Sequence, residues 1–163
     1  MLLPAVNWVV SSVVMTGPET PSDVVGQRIK DLRKRRGWSL EALADRCAEL
    51  GAGQITEHVI ENIEHGRRDR LTGRRRRAVT VDELLIFAYA LDVAPVHLLV
   101  PTQETRYPYV PQEPISDEHG VYPTGISSRV RQWIRGKEPM PGTDLRIYYS
   151  EVPADEFHAH EDG

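Results

Sequence analysis

Glu57, His58, Glu61 and Asn62 are the residues of this chain whose types and spacing bear most directly on chemistry, because one short segment presents them together. That segment reads Ile55-Thr56-Glu57-His58-Val59-Ile60-Glu61-Asn62-Ile63-Glu64-His65-Gly66. Val59, Ile60 and Ile63 recur at helical spacing, so carboxylates, an imidazole and a carboxamide are left facing outward, and a polar set of this kind can touch the edges of bases. Both ends of the helix are legible. Thr56 can cap it by accepting a hydrogen bond from an orphan backbone N–H, and Gly66 can take the left-handed conformation that stops it. The same pattern fits any amphipathic surface helix, so the neighbouring segments decide.

Upstream, Val25, Ile29 and Leu32 repeat at helical spacing among basic residues from Arg28 to Arg36, and Gly37 ends that first helix. Ser39 caps a second helix in which Leu40, Leu43, Ala44, Cys47 and Leu50 share one face. Downstream, Thr80 with Glu83 forms a capping box ahead of Val81, Leu84, Leu85, Phe87, Ala88 and Leu91. Pro95 suits the first turn of a last short helix ending at Leu99.

This order of five helices resembles the lambda-repressor-like family, the Cro/CI or xenobiotic-response-element type of helix-turn-helix. The resemblance covers about residues 24 to 100. It is carried jointly by Arg28-Ile29 and Arg33, Gly37-Trp38-Ser39, Leu43-Ala44, Ile60, Ile63-Glu64, Gly66, and Leu84 through Leu99. It implies an all-α fold, a five-helix DNA-binding domain over 23–100, to which the residues beyond add a proline-rich linker over 101–123 and a small helix/strand extension over 124–163. Residues 1–22 form a tail. The function implied is a sequence-specific transcriptional regulator of the repressor kind, acting on double-stranded DNA as a homodimer.

Residue by residue, the resemblance makes Glu57, His58, Glu61 and Asn62 candidates for base edges, and Ser39 and Thr56 candidates for phosphates. Asn62 suits a bidentate contact to adenine N6 and N7, and Glu57 can accept from cytosine N4. Glu61, repelled by phosphates, can instead orient a basic neighbour. Arg33 and Glu64 occupy the family's structural pair, in which a guanidinium and a carboxylate fix the first helix against the third. Two departures stand out. Leu40 replaces a glutamine that usually holds a phosphate, and the turn Ala48-Glu49-Leu50-Gly51-Ala52-Gly53-Gln54 is longer than the family's, as an extra helical turn followed by a glycine loop would make it.

After the recognition segment comes a run holding seven arginines: Arg67, Arg68, Arg70, Arg74, Arg75, Arg76 and Arg77. Beside the end of a recognition helix these are expected to clamp phosphates, adding affinity more than selectivity. A solvated charge run and a minor-groove probe are the other readings.

The net charge of −4 would argue against a nucleic-acid partner if it were evenly spread. Residues 23–100 instead hold fourteen Lys/Arg against twelve Asp/Glu, while residues 101–163 hold six against eleven. The acid therefore sits mostly in the tail, and a local basic face is possible despite a pI near 5.9. The single cysteine, Cys47, excludes an intramolecular disulfide and a multi-cysteine zinc site, in keeping with a reducing cytoplasm. Met1 to Met15 is apolar but lacks a positive n-region and is too short to span a bilayer, so no membrane role is expected; Met15 is a second candidate start of translation.

Beyond Val100, prolines 101, 108, 111, 114 and 123 read as an extended linker. Ile126, Val130, Trp133 and Ile134 then mark a short amphipathic helix over 127–135, and the β-favouring stretch Asp144 to Val152 reads as a single strand. These segments can dock on the helical domain, join a second protomer or bind a protein partner through residues 124–152. The last of these is the alternative function, an antitoxin or adaptor. His158 and His160 with Glu156, Glu161 and Asp162 have metal-ligating types but no distant partner at defined spacing, so no metal or cofactor is expected. No catalytic motif is present, which argues against an enzyme.

Overall fold

Thr20 opens the first helix. Its hydroxyl accepts from the backbone N–H of Asp23 while the Asp23 carboxylate accepts from the Thr20 N–H, a capping box that starts α1 (Pro21–Arg35) with proline in its first turn. The helix thus begins earlier than the expected Val25, because this Thr-Pro-Ser-Asp start belongs to the domain and not to the tail. The computed structural model describes residues 20–73, 75–107, 115–117, 120–122 and 125–153.

Four further helices follow in the expected order: α2 (Leu40–Glu49), α3 (Glu57–His65), α4 (Val81–Ala90) and α5 (Pro95–Leu99). Ser39 caps α2 by accepting from Ala42 N–H, and the Thr80–Glu83 box caps α4. The stripes read from the sequence meet in one core. Ile29, Leu43, Cys47, Ile60, Ile63, Phe87, Ala90, Leu91 and Leu98 are wholly buried there, with Val25 and Leu32 beside them. α1 packs on α3 and α5, and α2 packs on α3 and α4. Gly26 lies where α1 and α3 cross: a Cβ on it would stand 2.3 Å from the Ile63 carbonyl oxygen, so only glycine allows this approach. α2 ends at Glu49 and the turn through Gly51 buries Ala52 and Ile55, which seats the start of α3.

The segment expected to be an extended linker is partly built structure. Ile115–Asp117 (β1) pairs antiparallel with Gly120–Tyr122 (β2). Nearer the domain, Tyr107 N–H donates to Gly125 O at 2.7 Å and Ser127 N–H to Thr105 O at 2.9 Å. These bonds bring α6 (Ser127–Ile134) onto the helical domain, where Val130 is buried with Val24, Val96, Val100, Tyr107 and Met140 in a second apolar cluster. Val130 and the partly buried Ile134 thus pack α6 against Val24 of α1 and Val96 of α5, while Trp133, expected on the same face, is left exposed. The strand expected over 144–152 is instead a helix, α7 (Leu145–Ser150). Asp144 Oδ1 accepts from the N–H groups of Arg146 and Ile147, and this local cap outweighs the β preference of residues that pair with no strand among the described residues. The described chain is all-α apart from the one short hairpin.

Candidate functional site

The seat of α3 is polar as well as apolar. Arg33 Nε and Nη2 donate to Glu64 Oε1 and Oε2, each at 2.7 Å, and Nη1 donates to the Trp38 carbonyl at 2.8 Å. One guanidinium thus joins α1, α3 and the turn before α2, with Glu64 almost fully buried. The bonds to Glu64 hold the Arg33 guanidinium above its usual value. Gly66 closes α3 in the left-handed conformation, its N–H bonded to Asn62 O.

With one side so held, the other is free. Glu57 and His58 are exposed, and Glu61 and Asn62 are half-buried on the same flank. His58 Nδ1 lies 3.9 Å from Glu61 Oε2. Further along, His65 Nδ1 meets the Glu61 carbonyl oxygen at 2.9 Å. Thr56 is exposed at the start of the helix, but its side chain makes no capping bond, contrary to expectation. Ser39, by contrast, accepts from Ala42 N–H at 3.0 Å and still has its O–H to donate from an exposed position.

The arginine run divides sharply. Arg75, expected on phosphates, is turned inward with its side chain only 5% exposed. It donates to Asp23 Oδ1 at 2.9 Å, to Arg77 O at 2.7 Å, and to the Ile63 carbonyl at the end of α3. Arg68 pairs with Asp23 Oδ2 at 3.1 Å and also donates to Gly73 O. Arg77 pairs with Glu83 of the α4 cap. These three brace the fold, because a half-buried carboxylate recruits whatever cation the loop can deliver. Arg67, Arg70 and Arg76 remain exposed, and Arg74 lies outside the described residues. The run is thus a folded excursion with an Arg68–Arg75 bridge, turned over by Asp69, whose carboxylate accepts from Leu71 N–H and Thr72 N–H. Those two bonds hold the Asp69 carboxyl below the usual carboxylate range.

Asp23 is the residue that sequence reading missed. Burial pushes its carboxyl up, but bonds from the Thr20 backbone, Arg75 and the Thr20 hydroxyl, with the charge of Arg68, more than offset this and hold it low. Its capping-box spacing after Thr20 was a usable signal; its cationic partners, more than forty positions away, gave none. The expected basic face from Arg28 to Arg36 is also narrower than its composition. Arg28 donates to the His97 carbonyl, Arg33 is committed to Glu64, and Arg36 bonds to the carbonyls of Leu32 and Leu91 with its guanidinium over the Trp38 ring. Lys34 and Arg35 stay exposed.

Among the described residues no group of three or more His, Cys, Asp or Glu is placed to hold a metal ion, and no helix is long and apolar enough to cross a membrane. The His158/His160 cluster and the Met1–Met15 segment lie outside the described residues. Comparison with protein-family models, curated proteins and solved structures gives no match to this chain. Geometry and residue chemistry therefore carry the functional reading.

Proposed function

We propose that this chain is a sequence-specific DNA-binding regulator of transcription, a repressor, with α3 lying in the major groove of double-stranded DNA. The observation that carries this reading is the single free flank of α3, with Glu57, His58, Glu61 and Asn62 on a helix whose other side is locked by Arg33–Glu64. A rigid rod with one polar face accessible is what base readout requires. The resemblance of residues 24–100 to lambda-repressor-like domains supports the same assignment. In it, Asn62 reads adenine, Glu57 accepts from a cytosine amine and His58 lies beside Glu61, while Ser39 and Thr56 meet phosphates near helix starts. Phosphate clamping falls to the exposed Arg67, Arg70 and Arg76. A homodimer would read two half-sites.

The adaptor reading through residues 124–152 draws on Trp133, Leu145, Ile147 and Tyr149, which stay exposed there, while α6 has buried Val130 against its own domain.

Selection of sites from randomised duplexes, followed by anisotropy titrations of the full chain, tests the proposal. A palindromic motif with half-sites about one helical turn apart is expected. Asn62→Ala should lose about 1–3 kcal/mol at one base position and little elsewhere. Arg67→Ala should weaken all duplexes alike and reduce the log–log salt slope by about 0.9. Binding without sequence preference, unchanged by Asn62→Ala and His58→Ala, would refute specific recognition.

A further inference from the structure

Helix α4 carries apolar side chains on its outer face as well as its inner one. Val81, Leu85 and Tyr89 follow one another at helical spacing and are 71%, 52% and 68% exposed, while Phe87, Ala88 and Ala90 fill the core from the opposite side. Isolated exposed apolar residues are ordinary, but three in register along one helix make a continuous strip of the kind that marks an interaction surface. The strip continues into something different. Asp92, whose N–H bonds to Tyr89 O, also lines an open groove of about 480 Å³ with Trp38, Ala42, Asp45, Arg46 and Glu49.

That groove carries more acid than base. Arg46, the one cation among its lining residues, is bound to Glu49 at 3.0 Å, and Arg36, whose guanidinium lies over the lining Trp38, is bonded to the Leu91 carbonyl; Asp45 and Asp92 are exposed and make no ion pair among the described residues. Asp82, exposed beside Val81, adds a third such carboxylate at the other end of the strip. An apolar strip bounded by unneutralised carboxylates specifies an occupant with apolar residues at helical spacing and positive charge at its ends.

We propose that the outer face of α4, with the groove at its C-terminal end, docks a basic amphipathic helix of a partner protein. The apolar residues of that helix lie on Val81, Leu85 and Tyr89, and its Lys or Arg side chains meet Asp92 and Asp45. Nucleic acid is a poor occupant, since phosphates would face the same carboxylates. A second copy of α4 is also disfavoured: across a two-fold axis an antiparallel partner would bring Asp82 against Asp92, like charge on like. The surface shares no residue with the exposed flank of α3, so this inference stands or falls independently of DNA binding.

The test uses the full chain and three designed helical peptides, each labelled for anisotropy. One carries leucines at i, i+4 and i+8 with lysines at both ends; in the second glutamates replace the lysines, and in the third serines replace the leucines. The basic apolar peptide should bind, and the other two should bind at least tenfold more weakly. Leu85→Ser/Tyr89→Ser should reduce affinity for the first peptide by about tenfold or more. Asp45→Asn/Asp92→Asn should reduce it by about threefold and flatten its salt dependence. Both variants are at exposed positions, and unchanged thermal melts would show that the fold is kept. Equal binding of the acidic and basic peptides, or no effect of Leu85→Ser/Tyr89→Ser, would overturn the proposal. So would concentration-dependent dimerisation in sedimentation that Leu85→Ser/Tyr89→Ser abolishes, or peptide binding that appears only after deletion of residues 1–19, since the strip would then belong to a second copy or to the chain's own N-terminal segment.

Discussion

Replacing Arg75 with alanine separates a bracing role for the arginine run from a phosphate-binding one. Its guanidinium is nearly buried and joins three elements: Asp23 in α1, the Ile63 carbonyl at the end of α3, and Arg77 in its own loop. Truncating one member of a buried, hydrogen-bonded charge pair costs about 3–5 kcal/mol, because the other charge is left without compensation. Asp23 keeps Arg68 and the Thr20 bonds, so the lower end of that range applies. With about 4 °C of melting temperature per kcal/mol for a chain of this size, Arg75→Ala should melt about 12 °C below the parent. Arg67→Ala and Arg70→Ala, whose side chains are exposed, should melt within about 2 °C of it. Circular dichroism melts at fixed salt measure all three, and a cycle with Asp23→Ala should give a coupling energy of about 1–2 kcal/mol. An Arg75→Ala protein melting within 2 °C of the parent, or an Arg67→Ala protein losing as much as Arg75→Ala, would show that the loop arginines are energetically alike and that the division drawn here is wrong.

Glu64→Ala should destabilise by about 3–5 kcal/mol by stranding Arg33, whereas Arg33→Met/Glu64→Leu should recover most of that loss; urea titrations of the single and double variants would settle it. Asp23 and Glu83 both titrate below the usual carboxylate range in the fold, since ion pairing and capping bonds outweigh the opposing effect of burial. The unfolded chain therefore binds protons first as pH falls, and the stability these groups supply is complete above pH of about 5 and lost as pH drops through their folded values. Melting temperatures between pH 6 and 2.5 should fall steeply at the acid end, and less steeply in Asp23→Asn/Glu83→Gln; identical slopes would refute the assignment. Burial pushes the Cys47 thiol up to about 11, so the native protein should react with a maleimide at pH 8 only through global unfolding. Labelling that is complete within minutes while the near-ultraviolet spectrum stays native would contradict this.

Local periodicity and capping chemistry wrote α1 to α5 into the sequence. Val25, Ile29 and Leu32, then Leu43 and Cys47, then Ile60 and Ile63, repeat at the spacing of a helix face, and burying those faces together leaves few arrangements. Ser39, Gly66 and the Thr80–Glu83 box mark ends because they act on backbone groups within a few residues. The outward flank of α3 follows from the same periodicity, since the residues off the apolar stripe have nowhere else to go. The Arg33–Glu64 pair was legible through resemblance alone. What tertiary structure decided was the allocation of charge. Seven arginines in eleven positions look equivalent along the chain, yet Arg68, Arg75 and Arg77 are taken up by Asp23 and Glu83 while Arg67, Arg70 and Arg76 are left outside. The β-rich composition of residues 144–152 likewise gave way to a helix once Asp144 capped it. The physical reason is one of range: helix periodicity and caps act over three or four residues, whereas a half-buried carboxylate selects its partner through space, across any separation in sequence.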